Sequence, residues 1–407
     1  MRFTKFNAAA GTALPTAATI ERRRFLQRSS ALSALAAVPL LGARSSWAAE
    51  SGEPVKIGYL PITDAAPLLV AHGNKVFDAH GIEAGKPRLF RSWAQIVEAF
   101  LSGQVNVVHL LMPMTIWARY GSQAKAKVVA WNHMEGSSLT VLPEINSWAD
   151  LGGKTVAIPF WYSIHNVVLQ HLLRGQGMQA ISEGTPGPKQ VKLVVMSPGD
   201  MLPALGTRQI AGYTVAEPFN ALAEVLKVGK IWRFTGDVWK DHACCVVFMQ
   251  QRDLEQRPQW SQQVVSSIVE SQLWIRDHRE QTAHLLAKDN PAHYTPHTFE
   301  TLEQVLAPHE DLTAKYQASK AVLNAGWKEK RIDFQPYPFP SYTEELVRML
   351  KQTLVLGRND FLQKLDPKFV AGDLVDDRFV KKAIAEQGGM KAFGLPELYT
   401  RREVVSN

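Results

Sequence analysis

Residues 154–175 read KTVAIPFWYSIHNVVLQHLLRG and decide the fold class. The first five residues are partly β-branched and end in an apolar run. This pattern predicts a buried strand over Lys154–Ile158. Ser163 then stands where it can cap a helix, and apolar residues recur at helical spacing through Ile164–Gly175. A strand followed directly by a capped helix is the repeating unit of an α/β fold.

The same alternation of strand and helix patterns extends through most of the chain. Strands are predicted over residues 55–60, 86–90, 105–110, 138–142, 191–195 and 211–215, and helices over 65–80, 93–102 and 201–205. Alternation of this kind means mostly parallel strands with helices on both faces. Because the pattern restarts near residue 138, we predict two α/β lobes.

The last third of the chain has a different pattern. From residue 259 the predicted elements are amphipathic helices, over 260–286, 297–307, 342–356 and 377–387. We therefore predict a helical C-terminal extension over residues 301–407. The composition, with 46% hydrophobic and 20% charged residues in a chain of 407, is that of a globular protein and excludes disorder and coiled coil.

The formal net charge of +7 is concentrated at the N-terminus. Residues 1–48 hold seven basic residues and one acidic residue, so the rest of the chain is close to neutral. A nearly neutral body lacks the positive field that binding to a phosphate backbone requires. We therefore expect no nucleic-acid partner.

The basic N-terminus, residues 1–48, has the features of an export signal. Residues 22–26 read RRRFL, which fits the twin-arginine pattern, and the apolar stretch 31–43 follows. This stretch is shorter than the roughly 20 residues that a membrane-spanning helix needs. Small residues at Ser46 and Ala48 predict cleavage near Ala48 and release into the periplasm. A disordered basic N-terminus is the alternative interpretation.

The only cysteines are the adjacent pair Cys244 and Cys245. One adjacent pair excludes a disulfide framework and any Cys-x-x-Cys metal or redox motif. The sequence also contains no phosphate loop, nucleophile elbow or dinucleotide fingerprint, so we expect no cofactor and no metal-ligand motif, and whether a metal binds together with the anion stays open. The pair falls in a predicted buried strand over 243–249, and a strained vicinal disulfide is the alternative.

A ligand crevice is expected where the predicted strands end and the helices begin, as in other open parallel sheets. A helix start offers unbonded backbone N–H groups and a partial positive charge, which together can hold a small anion. Four junctions carry a residue able to cap the next helix: Thr63 or Asp64, Ser92, Ser163, and Gly199 or Asp200. Together they predict an anion-binding crevice.

Three side chains near these junctions are candidates for ligand contact. Trp93 lies in the first turn of its predicted helix, where it would line the crevice or pack under a loop. His165 lies in the first turn after Ser163, where the helix terminus favours a neutral, N–H-donating ring, with a structural histidine as the alternative. Lys240 precedes the strand that we expect to return to the first lobe, although its flanking aspartates also fit a solvated surface lysine.

Four short runs resemble a known family. They read RSW at 91–93, LLMPM at 110–114, AEPFNA at 216–221 and DVWKDH at 237–242. These runs look like the nitrate and bicarbonate solute-binding proteins of ABC importers, a branch of the taurine and sulfonate-binding superfamily. The resemblance covers residues 54–290 and is less definite in the C-terminal helices.

The resemblance implies a two-lobed periplasmic binding protein fold of type II. Each lobe would hold a mostly parallel sheet flanked by helices, and two crossing strands would form the hinge. Residues 54–135 would form the first part of lobe 1, 136–242 lobe 2, and 243–300 the return to lobe 1. Proteins of this family close over one solute and are not catalysts, so no enzymatic activity is expected.

The resemblance also implies five ligand-binding positions. Trp93, His165 and Lys240 match the oxyanion pocket of the family, whereas Ser137 stands where nitrate binders are expected to have glutamine, and Ala216 where they have glycine. Serine donates one hydrogen bond where an amide donates two, so the pocket is expected to be wider or wetter. The residues predicted as pocket walls or braces are Asp64, Trp161 and Glu217.

These features predict a periplasmic, monomeric solute-binding component that delivers nitrate, nitrite, cyanate or bicarbonate to an ABC permease and its ATPase. The alternative solute is taurine or another aliphatic sulfonate, which needs an apolar wall such as Trp93, Phe160, Trp161 and Tyr162. Two other classes stay open. One is a pyrimidine-synthesising enzyme of the same fold, whose cysteine-rich iron motif is hinted at only by Cys244 and Cys245. The other is a binding protein that signals to a sensor.

Overall fold

A computed structural model describes residues 53–308, 312–327 and 330–406. The predicted export signal, residues 1–48, lies outside the described residues. Within the described ranges, none of the helices combines the length and the apolar character needed to cross a bilayer.

The strands are short and mostly buried. In chain order they are β1 (Ile57–Tyr59), β2 (Arg88–Leu89), β3 (Val107–Leu111), β4 (Ala126–Trp131), β5 (Met134–Glu135), β6 (Ser137–Val141), β7 (Lys154–Ile158), β8 (Gln179–Ile181), β9 (Gln190–Val195), β10 (Gly212–Ala216), β11 (Lys230–Phe234), β12 (Cys245–Gln250) and β13 (Ile332–Asp333).

The helices cover the sheets and form most of the C-terminal part. In chain order they are α1 (Ala66–Gly73), α2 (Val76–Ala79), α3 (Trp93–Leu101), α4 (Met112–Ile116), α5 (Ile164–Gly175), α6 (Pro198–Gly206), α7 (Phe219–Val225), α8 (Gln251–Gln256), α9 (Pro258–Asp277), α10 (Arg279–Leu286), α11 (Phe299–Leu306), α12 (Leu312–Ala318), α13 (Pro340–Leu350), α14 (Pro367–Leu374) and α15 (Arg378–Glu386).

Two sheets define two lobes, as predicted. The first sheet has the strand order β2-β1-β3-β12-β4, and the second has the order β11-β6-β10-β7-β9-β8. The second sheet is parallel from β10 to β8, with β6 antiparallel to both its neighbours. In the first sheet β12 is antiparallel to β3 and β4, so only half of its strand pairings are parallel. Four of its five strands nevertheless run in one direction, and only β12 runs against them, because β12 enters the lobe from the hinge while β3 and β4 run toward the hinge.

The hinge contains a strand that the sequence did not predict. The chain leaves the first lobe after β4 and returns to it through β12, as expected for two crossing segments. Between them β5 pairs with β13, which comes from the C-terminal extension, and Met134 also bridges to Ala243. The extension is therefore not purely helical, and it supplies one of the chain segments at the crossing.

Two long predicted helices are divided in the structure. The helix predicted over 65–80 is broken into α1 and α2 at Lys75, whose φ of 57° is left-handed. The helix predicted over 260–286 is broken into α9 and α10 at His278. The hydrophobic pattern continues across both breaks, so periodicity alone did not reveal them.

The C-terminal extension is tied to the first lobe by a charged contact. Arg119 forms two hydrogen bonds with the Asp373 carboxylate, at 2.5 and 2.7 Å, and the Tyr120 hydroxyl donates a third at 2.8 Å. These hydrogen bonds, chiefly those of Arg119, hold the pKa of Asp373 well below its ordinary value. A carboxylate with a lowered pKa stabilises the fold above its unfolded-state pKa, and this stabilisation is lost as the pH falls.

We expect Asp373→Asn to lower the free energy of unfolding by about 1–3 kcal/mol at pH 7 because it removes charge-assisted hydrogen bonds. The difference from the wild type should shrink progressively below about pH 4, because the carboxyl of the unfolded chain then takes up a proton while the native carboxyl still resists it. Urea denaturation at several pH values would measure it, with Asp360→Asn at an exposed position as the control. A difference that does not change with pH would contradict the assignment.

Candidate functional site

The candidate site lies where both sheets meet the hinge. In the first lobe the carboxyl ends of β1, β3 and β4 and the amino end of β12 lie at one edge, with Leu111 of β3 paired to Cys245 of β12. In the second lobe Ser137, which begins β6, pairs with Ala216, which ends β10. Side chains at and just beyond these strand ends are buried, including titratable ones. The site therefore occupies the place where an α/β fold binds its ligand.

Four side chains from the first lobe and the hinge form what we call the floor cluster: Asp64, His133, Cys244 and Cys245. All four are completely buried, and their ligating atoms lie within 4.8 Å of one another. The Nε2 atom of His133 is 2.8 Å from Oδ2 of Asp64. The two sulfur atoms are 4.0 Å apart, so the cysteines are free thiols and do not form the vicinal disulfide considered from the sequence.

Burial and mutual contact set the charges of the floor cluster. Burial raises the pKa of Asp64 to about 6, against the attraction of His133. Burial disfavours the charged form of His133 as well, yet the Asp64 carboxylate raises the pKa of His133 to about 10. Burial opposes the Cys244 thiolate, but a hydrogen bond with Cys245 and the proximity of His165 hold the pKa of Cys244 well below its ordinary value. At neutral pH the Asp64 carboxylate and the protonated His133 therefore form an ion pair, which lies beside the Cys244 thiol with its lowered pKa.

The second lobe contributes His165, in the first turn of α5. Ser163 caps this helix, as predicted, by accepting a 3.1 Å hydrogen bond from the Asn166 N–H. The Nε2 atom of His165 is 2.9 Å from the Ser137 hydroxyl oxygen and 3.9 Å from the Cys244 sulfur. His165 therefore links the second lobe to the floor cluster.

A second interlobe contact lies next to the floor cluster. The N–H and the hydroxyl of Thr63, in the first lobe, both donate to the Glu217 carbonyl of the second lobe, at 3.0 and 3.1 Å. With these contacts formed, Asp64 and His165 are completely buried. The two lobes are therefore in direct contact beside the floor cluster.

Helix capping was predicted correctly at two junctions and wrongly at two. Ser92 accepts a 3.3 Å hydrogen bond from Gln95, and Ser163 caps α5. The wrongly predicted caps are Thr63, Asp64, Gly199 and Asp200. Both of these helices have a proline at the first or second position, which lacks an N–H group and is already shaped for a helix start, so the chain needs no side-chain cap there.

Trp93 and His109 form a buried aromatic pair on the first lobe. Their ring centroids are 5.4 Å apart, and both side chains are at most 1% exposed. The Leu60 N–H donates to Nε2 of His109 at 2.9 Å, which places the ring proton on Nδ1. Burial lowers the pKa of His109 to about 3, so this ring is neutral at physiological pH.

Among the buried ring nitrogens that have no hydrogen-bond partner in the described residues are Nε1 of Trp93, Nδ1 of His109 and Nδ1 of His165. A buried donor left without a partner costs about 1–3 kcal/mol. This edge therefore offers N–H groups that would donate hydrogen bonds to a bound acceptor.

Two other predicted site residues, Ala216 and Glu217, differ in what their side chains face. Ala216 is buried opposite Ser137. Glu217 places one carboxylate oxygen 3.0 Å from the Ala221 N–H, and the other accepts two hydrogen bonds from Arg331 at 2.6 and 3.0 Å. Its side chain thus faces α7 and the C-terminal extension.

Two of the predicted residues are only partly buried. Trp161 is half-buried, and its carbonyl accepts a 2.8 Å hydrogen bond from Asn166. Lys240 is half-buried, and its backbone N–H donates to the Val404 carbonyl at 3.0 Å. Within the described ranges, no hydrogen bond or ion pair joins the Lys240 ammonium to the floor cluster.

Sequence reasoning missed His109, His133 and the polar role of the two cysteines. His109 stands inside an apolar strand, and His133 follows β4, a strand that was not predicted. The signal available in the sequence was a histidine within a buried strand or just after one. This signal was weak because core histidines with purely structural hydrogen bonds show the same sequence pattern.

Comparison with known proteins places most of the chain in one family. The model of the NMT1-like family matches residues 48–288, which is more than half of the chain. The nitrate/nitrite binding protein NrtA of Nostoc sp. is 24% identical over 240 residues, or 54% of this chain. That match spans 53% of the length of the Nostoc protein. The taurine-binding periplasmic protein of Escherichia coli is 30% identical over 186 residues, which are 44% of this chain and 55% of that protein.

The fold of most of this chain agrees with that of a solved structure. The crystal structure of the periplasmic nitrate-binding protein NrtA from Synechocystis superposes with a TM-score of 0.69 at 18% identity, covering 86% of this chain and 92% of that one. The predicted two-lobed periplasmic binding protein fold is thereby confirmed.

Proposed function

We propose that this chain, which belongs to the NMT1-like family, is the solute-binding component of an ABC-type importer and captures a small oxyanion between its lobes in the periplasm. The observation that carries the proposal is the set of buried ring nitrogens without partners at the interlobe edge: Trp93 and His109 on one lobe, and His165 on the other. Names of relatives support the ligand class, since they include a nitrate/nitrite binder and a taurine binder.

The chemistry follows from the two sides of the cleft. On the first lobe Trp93 and the neutral His109 each offer one N–H group. On the second lobe Nε2 of His165 lies 2.9 Å from the Ser137 hydroxyl oxygen, and we propose that this hydroxyl donates to Nε2, so that the ring carries its proton on the unpartnered Nδ1. An oxyanion that accepts hydrogen bonds from both sides stabilises the closed form, and the buried surroundings strengthen those charge-assisted bonds.

Closure of the lobes would also present a joined surface to a membrane permease. Lobe closure around a fixed hinge is a standard response of two-lobed binding proteins to ligand. We propose that the closed lobes dock on a permease served by an ATPase, and that Glu217, held by Arg331 and hydrogen-bonded to Thr63 through its carbonyl, braces the closed form. The export route and the cleavage near Ala48 remain predictions from the sequence.

We retain Lys240 as a proposed ligand from the family resemblance. Lys240→Ala is expected to weaken binding of the solute by about 1.5–3 kcal/mol, the usual effect of losing a hydrogen bond to a charged group. Calorimetric titration would measure the change, with Lys192→Ala on β9 as a control of equal charge. Equal affinities for the Lys240 variant and the control would exclude this lysine from the site.

A screen of candidate solutes tests the function directly. Thermal unfolding would be recorded with nitrate, nitrite, cyanate, bicarbonate and taurine, followed by calorimetry on each solute that raises the midpoint. A ligand at 100 times its dissociation constant stabilises the folded state by about 2.7 kcal/mol. We expect an inorganic oxyanion to give the largest rise. No rise with any of the five would contradict the proposed function.

Taurine or another aliphatic sulfonate is the second candidate. An apolar groove of about 500 Å³ is lined by residues of α3 together with Met114, Trp117 and Phe160. Phe160 follows β7 of the second lobe, so the groove is bounded by both lobes. It offers an apolar wall for an organic tail, and the identity to the taurine-binding protein favours the same class. A taurine affinity well above that of every inorganic ion would make this the function.

A further inference from the structure

We propose that the floor cluster is a binding site for a zinc-class transition-metal cation, separate from the oxyanion site. The four side chains offer two sulfurs, one imidazole nitrogen and one carboxylate oxygen. The function proposed above does not require this metal, and the metal site does not depend on that function.

The spacing of the ligand atoms fits a tetrahedral ion. With Zn–S bonds of about 2.3 Å, two sulfurs on one tetrahedron are separated by about 3.8 Å. The two sulfurs of Cys244 and Cys245 are 4.0 Å apart. Because the largest separation in the cluster is 4.8 Å, the remaining ligands need to move inward by about 1 Å to complete the shell.

The donor set selects the kind of metal. Thiolate and imidazole ligands suit zinc and other borderline or soft transition metals, whereas calcium and magnesium require mostly oxygen. The cysteines bind as thiolates, so their protons pass to solvent when the metal enters, as does the proton that His133 shares with Asp64. The other nitrogen of His133, Nδ1, lies 3.3 Å from the Met134 carbonyl, a contact of the kind that orients metal-binding histidines.

All four ligands belong to the first lobe and the hinge. Asp64 precedes α1, His133 follows β4, and the cysteines stand at the start of β12. The site therefore keeps its ligands when the second lobe moves away, and an ion can enter from the cleft in the open form. In the structure His165 of the second lobe lies 3.9 Å from the Cys244 sulfur, next to this cluster.

The test is a zinc titration of the untagged full-length chain, kept reduced and free of added anion solutes, in competition with a chromophoric chelator. We expect one zinc per chain. X-ray absorption on the wild-type complex should show two sulfur neighbours at about 2.3 Å. Cys244→Ser and Cys245→Ser should each weaken zinc binding by about 100-fold or more, because each removes a ligand.

The control is His297→Gln, since His297 is a buried histidine that bonds to the Pro61 carbonyl and is not one of the four residues of the floor cluster. This variant should bind zinc like the wild type. A wild-type spectrum without sulfur neighbours, or equal zinc affinity in the cysteine variants and the control, would overturn the metal site. Because the wild-type spectrum needs no variant, misfolding of a mutant cannot hide the result. The solute screen, repeated after chelation, reports on the oxyanion site separately.

Discussion

Arg331→Met is expected to lower the free energy of unfolding by about 3–5 kcal/mol, the typical effect of breaking one side of a buried ion pair. Arg331 is 1% exposed, and its guanidinium bonds to Glu217 at 2.6 Å and to Glu224 at 3.1 Å. Even with this partner present, burial raises the pKa of Glu217. Without the arginine, the Glu217 carboxylate would be buried with no opposite charge. Urea denaturation at pH 7 would measure the loss.

Two further variants separate the ion pair from simple loss of packing. In Glu217→Gln/Arg331→Met no charge is left unpaired at Glu217, so the double variant should lose less stability than Arg331→Met alone. Arg208→Met removes an exposed arginine that pairs with Glu144 and should change stability by no more than about 1 kcal/mol. Equal losses for Arg331→Met and Arg208→Met would show that the buried pair does not carry the predicted energy.

His165→Ala is expected to weaken binding of the solute identified by the screen by about 1.5–3 kcal/mol, or roughly 10- to 150-fold in affinity. The proposed role of this ring is to donate from Nδ1 to the anion while Nε2 accepts from Ser137. Because closure brings His165 to the first lobe, the variant should also show a smaller ligand-induced rise in thermal midpoint. Calorimetry and thermal unfolding would measure the two effects.

The matched control for this variant lies on the same helix. His171→Ala removes a histidine of α5 whose Nε2 contacts the Ser406 carbonyl at 3.0 Å, away from the floor cluster. It should leave solute affinity unchanged, so a general effect of altering α5 would be visible in both variants. If His171→Ala and His165→Ala bind the solute equally well, the oxyanion site does not include His165.

Local patterns anticipated much of the architecture. The boundaries predicted for β7 and α5 agree with the structure to the residue, because a β-rich run, a capping serine and a helical repeat all lie within one short segment. Alternation of such segments was enough to predict two lobes. Patterns were less informative where neighbours in space decide the outcome, as at the antiparallel β12 and at β13, a two-residue strand that forms only because β5 is beside it.

The sequence by itself determined the fold class, the basic leader and several residues of the interlobe edge, among them Trp93, Ser137 and His165. The fold class, the leader, Trp93 and His165 follow from periodicity, charge and helix starts, which are properties of neighbouring residues, whereas Ser137 was expected from the family resemblance alone. Only the tertiary structure decided that Asp64, His133 and the cysteine pair meet in one buried cluster. These residues are separated by up to about 180 positions, and no local signal records that strands distant in the chain end at the same edge of a sheet. Their chemistry depends on that meeting, because burial and mutual contact set their charges.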